Sequence, residues 1–187
     1  MLGVGDTHKM GENNRGGMMI GKNIEANWPG FHLGGGWEGD DRGSGFGRAQ
    51  VGVIIFSGQG DFTSDPASIP VVIEGISGKY LEINDNATWM CVANVAVHRY
   101  DVASTNTNAY HYAMFRFRLS YTGGASSASA VNTAVQVGDF GTLGLTIDTA
   151  TDTDQHRFSV TSTGGGAYPY NVVKITMELK YVQVRTT

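Results

Sequence analysis

The side chains in this sequence that could do chemistry are five histidines (His8, His32, His98, His111 and His156), the single cysteine Cys91, and the aspartates of two short runs. A histidine works as a base when a nucleophile and an orienting acid stand beside it. Only His98 and His111 fall in long strand-like stretches, where a lone histidine reads as structural, and no Ser, His and acid set has a recognisable motif. Gly43-Ser44-Gly45 lacks the strand-turn-helix context of a nucleophile elbow, so its glycines read as backbone freedom. Asp148, Asp152 and Asp154 supply oxygen ligands dense enough for Ca²⁺, but no turn glycine and no closing Glu follow, and a solvated Asp/Thr turn is the expectation. Asp40-Asp41 followed by Arg42 reads as a solvated or interface charge cluster. Cys91, between Met90 and Val92, reads as a small buried hydrophobe, and standing alone it excludes an internal disulfide and a multi-cysteine zinc site. The expectation is no catalytic residue, no metal and no cofactor: a chain that is not an enzyme.

The elements that would position any site divide unevenly along the 187 residues. Residues 1–50 hold 14 of the 27 glycines, the composition of an extended arm without a core of its own. From Gln50 onward apolar and polar residues alternate between turn signals, the pattern of antiparallel strands that bury one face. The reading is an all-β chain: an extended Gly-rich arm over residues 1–48 and an antiparallel, jelly-roll-like β-sandwich over 49–187.

Period-two alternation places strands at 50–57, 69–74, 79–83, 88–100, 109–121, 130–137, 142–147, 156–163 and 171–184. In 109–121, His111, Ala113, Phe115, Phe117, Leu119 and Tyr121 share one face, which must look at a core; Arg116 and Arg118 share the other, as candidates for inter-strand or inter-subunit pairs. Gly75-Ile76-Ser77-Gly78 reads as a hairpin turn. In the last strand the apolar row passes from Val173, Ile175, Met177, Leu179 and Tyr181 to Val182 and Val184, a phase change that predicts a bulge near Tyr181. Residues 88–100 are apolar on both faces, Trp89, Cys91, Ala93, Val95 and Val97 opposing Met90, Val92 and Ala96, so a subunit interface is expected to cover the surplus.

Charge and hydropathy narrow the partners. Thirteen basic against 17 acidic residues give a net charge of −4 with no clustered basic stripe, which argues against nucleic acid. No run approaches the roughly 18 to 20 apolar residues of a membrane span, and residues 1–21 lack a signal peptide's pattern, so the chain reads as made in a cytoplasm with no membrane partner.

The arm carries a weak beat. Ile20-Gly21 and Leu33-Gly34 lie thirteen residues apart, which suits β-solenoid coils and resembles the repeats of trimeric autotransporter adhesin heads and phage fibres. Met18, Met19, Ile20, Trp28, Phe31, Leu33 and Trp37 are too apolar for a linker and are the candidates for anchoring on another subunit or a capsid protein.

Gly47-Arg48-Ala49-Gln50 leads into a strand, and Lys79-Tyr80-Leu81-Glu82-Ile83 passes through Asn84-Asp85-Asn86 to Ala87-Thr88-Trp89; the long strand with Val95 and Val97, then 112–119, Val137-Gly138, 156–163 and 173–184 follow in order. Over roughly residues 47–187 this order resembles the carboxy-terminal β-sandwich domain of bacteriophage tail fibres, head fibres and decoration proteins. The resemblance implies a homotrimeric virion-surface domain. With so short a stalk it implies a capsid decoration or cement protein anchored by its arm to the major capsid protein, and localised to the capsid surface of the virion. The alternative is a short tail fibre or spike tip that binds host-surface carbohydrate, with Trp89, Tyr100, Tyr110 and Tyr168 as the ligand-facing aromatics. On either reading, removal of residues 1–47 is expected to leave a folded core.

Overall fold

The computed structural model describes residues 2–10, 17–26, 28–35, 49–62, 66–75, 78, 80–83, 86–101, 109–138, 141–149, 155–163 and 171–185. The class is all-β. Thirteen strands form among the described residues: β1 (Leu2–Met10), β2 (Met18–Ala26), β3 (Phe31–Gly35), β4 (Ala49–Asp61), β5 (Ala67–Ile73), β6 (Leu81–Glu82), β7 (Ala87–Asp101), β8 (Ala109–Thr122), β9 (Ala125–Ala128), β10 (Asn132–Gly138), β11 (Thr142–Thr149), β12 (Gln155–Thr163) and β13 (Asn171–Arg185). No helix there is long and apolar enough to cross a membrane.

Two layers enclose the core. The large sheet runs β1-β2-β3-β4-β13-β7-β8-β10, with β9 beyond β10 along the edge of β8; the small one joins β11 to β12 and β12 to both β5 and β6. Alternation decides which side chains enter: along β8, His111, Ala113, Phe115, Phe117 and Leu119 are buried while Tyr110, Tyr112, Arg116 and Arg118 face out. Phe158 of β12 meets Phe56 of β4 edge to face at 5.2 Å and tilts against Phe117 at 6.0 Å, so one ring joins both layers. One side of the sandwich closes where β5 leaves β12 and pairs Ile73 with Phe56 of β4. On the other side Gln136 of β10 acts as a surrogate peptide: its amide donates to the Leu143 carbonyl and accepts from the Leu143 N–H, tying β10 to β11.

Three expectations change here. Glu74 to Gly78 does not close a hairpin between β5 and β6. Both strands pair antiparallel with β12, β6 at Gln155 and His156 and β5 at residues 158–162, so they continue one line of pairing. The bulge near Tyr181 is absent, because β13 pairs without a register shift with β4 and with β7. The inward position after Tyr181 is Gln183, not Val182, since its amide oxygen accepts the indole N–H of buried Trp89 and so places a polar side chain inside.

The third concerns the glycine-rich start, which is not an extended arm in residues 17–35. β1 and β2 are parallel with Leu2 opposite Met18, β2 and β3 are parallel with Met18 opposite Phe31, and β3 joins β4 antiparallel. The thirteen-residue beat is one turn of a parallel coil: Ile20 stands beside Leu33 and Gly21 beside Gly34. Gly21 has φ +126°, and a Cβ there would overlap the Gly34 carbonyl oxygen, so glycine at this offset lets neighbouring turns stack.

Candidate functional site

The joint between the coil and the sandwich holds a buried polar network on four strands. His32 of β3 is buried with its Nε2 2.9 Å from the Trp28 carbonyl oxygen. A carbonyl only accepts, so Nε2 carries the hydrogen and Nδ1 accepts from the Tyr181 hydroxyl at 2.7 Å. Gln50 of β4 donates to the same hydroxyl oxygen at 3.2 Å. The Tyr181 ring stacks on Trp89 at 3.8 Å and lies over Gly52, where a Cβ would come within 2.5 Å of the ring. Trp28 is 3% exposed within the main core, and its indole N–H donates to the Glu82 carbonyl at 3.2 Å. The coil is thus fastened through one indole, one imidazole and one phenol.

Burial holds the His32 pKa below 6.5, with the Trp28 carbonyl opposing the shift; burial pushes the Tyr181 hydroxyl and the Cys91 thiol up. In the window below 6.5 the unfolded chain binds more protons at residue 32 than the folded one. The contribution is therefore complete above pH 6.5 and is lost as the pH falls through the folded value, at up to about 1.4 kcal/mol per pH unit. A His32→Asn variant is expected to lower the melting temperature at pH 7.5 and to lose less than wild type between pH 7 and 5. Parallel melting curves for the two proteins across that range would remove His32 from the acid response.

The outer face of the large sheet holds a second group of polar and aromatic side chains. The Tyr112 hydroxyl donates to Asn94 Oδ1 at 2.8 Å, Asn94 Nδ2 donates to Glu178 Oε1 at 2.8 Å, and Glu178 pairs with Lys180 at 2.9 Å, the lysine and then Asn94 holding the Glu178 carboxyl below its usual pKa. His98 and Tyr110 stack at 4.6 Å. Where β5 curls away from β4, a cavity of about 530 Å³ opens on this face beside Ser57, Gln59, Pro70, Val72, Lys174 and Thr176.

The sequence candidates divide accordingly. Met18, Ile20, Phe31 and Leu33 face outward at 36–38% exposure. Met19 and Trp28 face inward, Met19 packing in a cluster with Ile24 and Ala26, so neither offers a surface to another subunit. Trp89 is interior, stacked and hydrogen-bonded, and cannot present a ring to a sugar; Tyr110 is 59% exposed. Trp37, Tyr168, the Tyr100 side chain, Asp40, Asp41, Asp152 and Asp154 lie outside the described residues. Among the described residues no three His, Cys, Asp or Glu side chains come together as a metal site. Sequence reasoning missed the network around Tyr181, although inward Gln50 and Gln183 on otherwise apolar faces were its signal.

The fold and site define an all-β sandwich with a parallel coil continuing its larger sheet. No protein-family model matches the chain, and no curated protein matches it. Solved structures to which the chain is similar include two tailspike proteins. The tailspike protein of Acinetobacter baumannii phage AM24 is 8% identical with a TM-score of 0.44, over 90% of this chain and 33% of that one. The tailspike protein of Acinetobacter phage vB_ApiP_P1 is 14% identical with a TM-score of 0.39, over 99% of this chain and 39% of that one. This chain spans between a third and two fifths of their length.

One expectation is corrected at this point. The reading that the chain is not an enzyme leaned on a resemblance to decoration domains and on the lack of a motif, and neither is a test of activity. A catalytic constellation is defined by geometry and by no sequence order, so a missing motif does not exclude one. The exclusion is withdrawn.

Proposed function

We propose that this chain is a structural subunit of a bacteriophage virion, a homotrimer carried on the particle surface and attached through its amino-terminal strands. The observation that carries the reading is the joint: a parallel coil of β1, β2 and β3 runs into β4 without a break in the sheet. Parallel coils contact only their neighbours in sequence, so they add rigid length along one axis, which suits a projecting or bridging element. Among the described residues β1 pairs on one side only, with β2, and its free edge offers backbone groups that a strand of a capsid or tail protein can extend. Three such edges on one trimer turn a weak contact into lasting attachment through effective concentration. Quantitative mass spectrometry of purified particles is expected to find the chain in a copy number divisible by three; particles without it, from lysates that contain it, would refute the reading.

The cavity favours a second reading, recognition of host-surface carbohydrate. Hydroxyls of Ser57 and Thr176, the Gln59 amide and the Lys174 ammonium line it beside apolar Pro70 and Val72, and Lys174 is the cross-strand neighbour of His98, which carries the exposed Tyr110 ring. Hydroxyl and amide donors next to an aromatic face suit a sugar, and the lysine favours an acidic one. Gln59→Ala with Lys174→Glu is expected to abolish binding to acidic host polysaccharide, measured by calorimetry, while the melting temperature holds. Undiminished binding would place any glycan site elsewhere.

A further inference from the structure

We infer that copies of this chain meet through the outer face of the large sheet, at an apolar patch centred on Val51, Val182 and Met90. The inference rests on the homotrimer reading and adds the surface that makes it. Strand register builds the patch. Ile20 stands opposite Leu33, Leu33 opposite Val51, Val51 opposite Val182 and Val182 opposite Met90, a row of five apolar residues across β2, β3, β4, β13 and β7. Cross-strand partners share a face, and all five are at least 36% exposed, reaching 51% at Val182 and 59% at Met90. A second row lies two residues along, where Met18 meets Phe31, Phe31 meets Val53, and Val53 and Val92 flank Lys180. Val184, opposite Ala49, extends the face on the other side of the first row.

The dimensions match an interface between protein chains. Five strands about 4.8 Å apart and two rows about 6.7 Å apart cover on the order of 300 Å². That is within the range of the largest apolar patch a monomer exposes, and well under the ~800 Å² each partner buries in a standard interface. The rest is at hand as a polar rim. The Tyr112, Asn94, Glu178 and Lys180 chain of hydrogen bonds borders the patch on one side. Arg116 and Arg118 of β8 continue its rows beyond Val92 and Met90, and neither guanidinium pairs with an acid among the described residues. A charge-free apolar row from Ile20 to Met90, bordered by polar side chains that include Lys180 and two arginines, is the anatomy of a protein interface.

The occupant is a second copy. Closed around a threefold axis, the apolar face of each copy packs on the matching faces of its two neighbours, so one chain supplies the whole cover. The two sides of β7 agree: inward Trp89, Cys91, Ala93, Val95 and Val97 fill this chain's own core, leaving outward Met90 and Val92 to be covered by another.

The test is the solution mass of the full chain by light scattering, for wild type, Val182→Glu, Met90→Glu, and Val137→Glu as a control on exposed β10 outside the patch. Wild type and the control are expected at three times 20.0 kDa, about 60 kDa, and both patch variants near 20.0 kDa with wild-type circular dichroism. Patch variants that keep the wild-type mass would overturn the surface while leaving self-assembly standing. A two-copy wild type split by the patch variants supports the surface and removes the trimer; a monomeric wild type overturns both.

Discussion

Phe117→Asp is expected to yield a chain that does not fold, with the strand signature lost from circular dichroism and the product recovered as aggregate. Phe117 is 4% exposed on β8 and tilts against Phe158, the ring that also meets Phe56 from the opposite layer. Removing a buried phenylalanine costs about 3–5 kcal/mol. A carboxylate in its place loses its water without gaining a partner, at a further cost of several kcal/mol, and the total consumes most of the ~5–15 kcal/mol by which a domain is stable. Phe117→Leu keeps apolar volume and is expected to fold with a lowered denaturation midpoint. A cooperative unfolding transition for the Asp variant would show that β8 does not face the core.

Deletion of residues 1–47 is expected to destroy the sandwich's stability, the reverse of what composition alone predicts. The deletion takes Trp28 out of the main core, strips β3 from the edge of β4, and leaves the Tyr181 hydroxyl without its histidine. Trp28→Ala alone is expected to cost about 3–5 kcal/mol in urea unfolding. The deletion adds the loss of the His32 bond at a buried hydroxyl, about 1–3 kcal/mol more. The expected outcome is an insoluble or molten product, and a soluble truncated chain with the full-length midpoint would return residues 17–35 to the status of an appendage.

The β-sandwich strands were legible because period-two alternation is written into single residues: β7, β8, β12 and β13 lie within one or two residues of their sequence-based positions. The four-stranded edge was harder. β5 and β6 carry the same local signal as a hairpin, and only their shared partner β12, some eighty residues away, shows that they are one interrupted line. At Tyr181, hydrophobicity pointed to the wrong residues. Val182 and Val184 were read as core because they are apolar, yet they face outward, and Gln183 takes the interior because Trp89 needs an acceptor there. A pattern that assumes one water-facing side fails on a strand whose outer face is apolar too. The coil was half legible, since the thirteen-residue beat was in the sequence but the burial of Trp28 and His32 depends on contacts with β6 and β13.

The measurement that tests the central claim most directly is electron microscopy of intact particles labelled with an antibody raised against the recombinant chain. A virion structural subunit predicts gold at fixed positions on every particle, lost when the gene is disrupted. Unlabelled particles, from infected cells whose lysate reacts strongly with the same antibody, would contradict it.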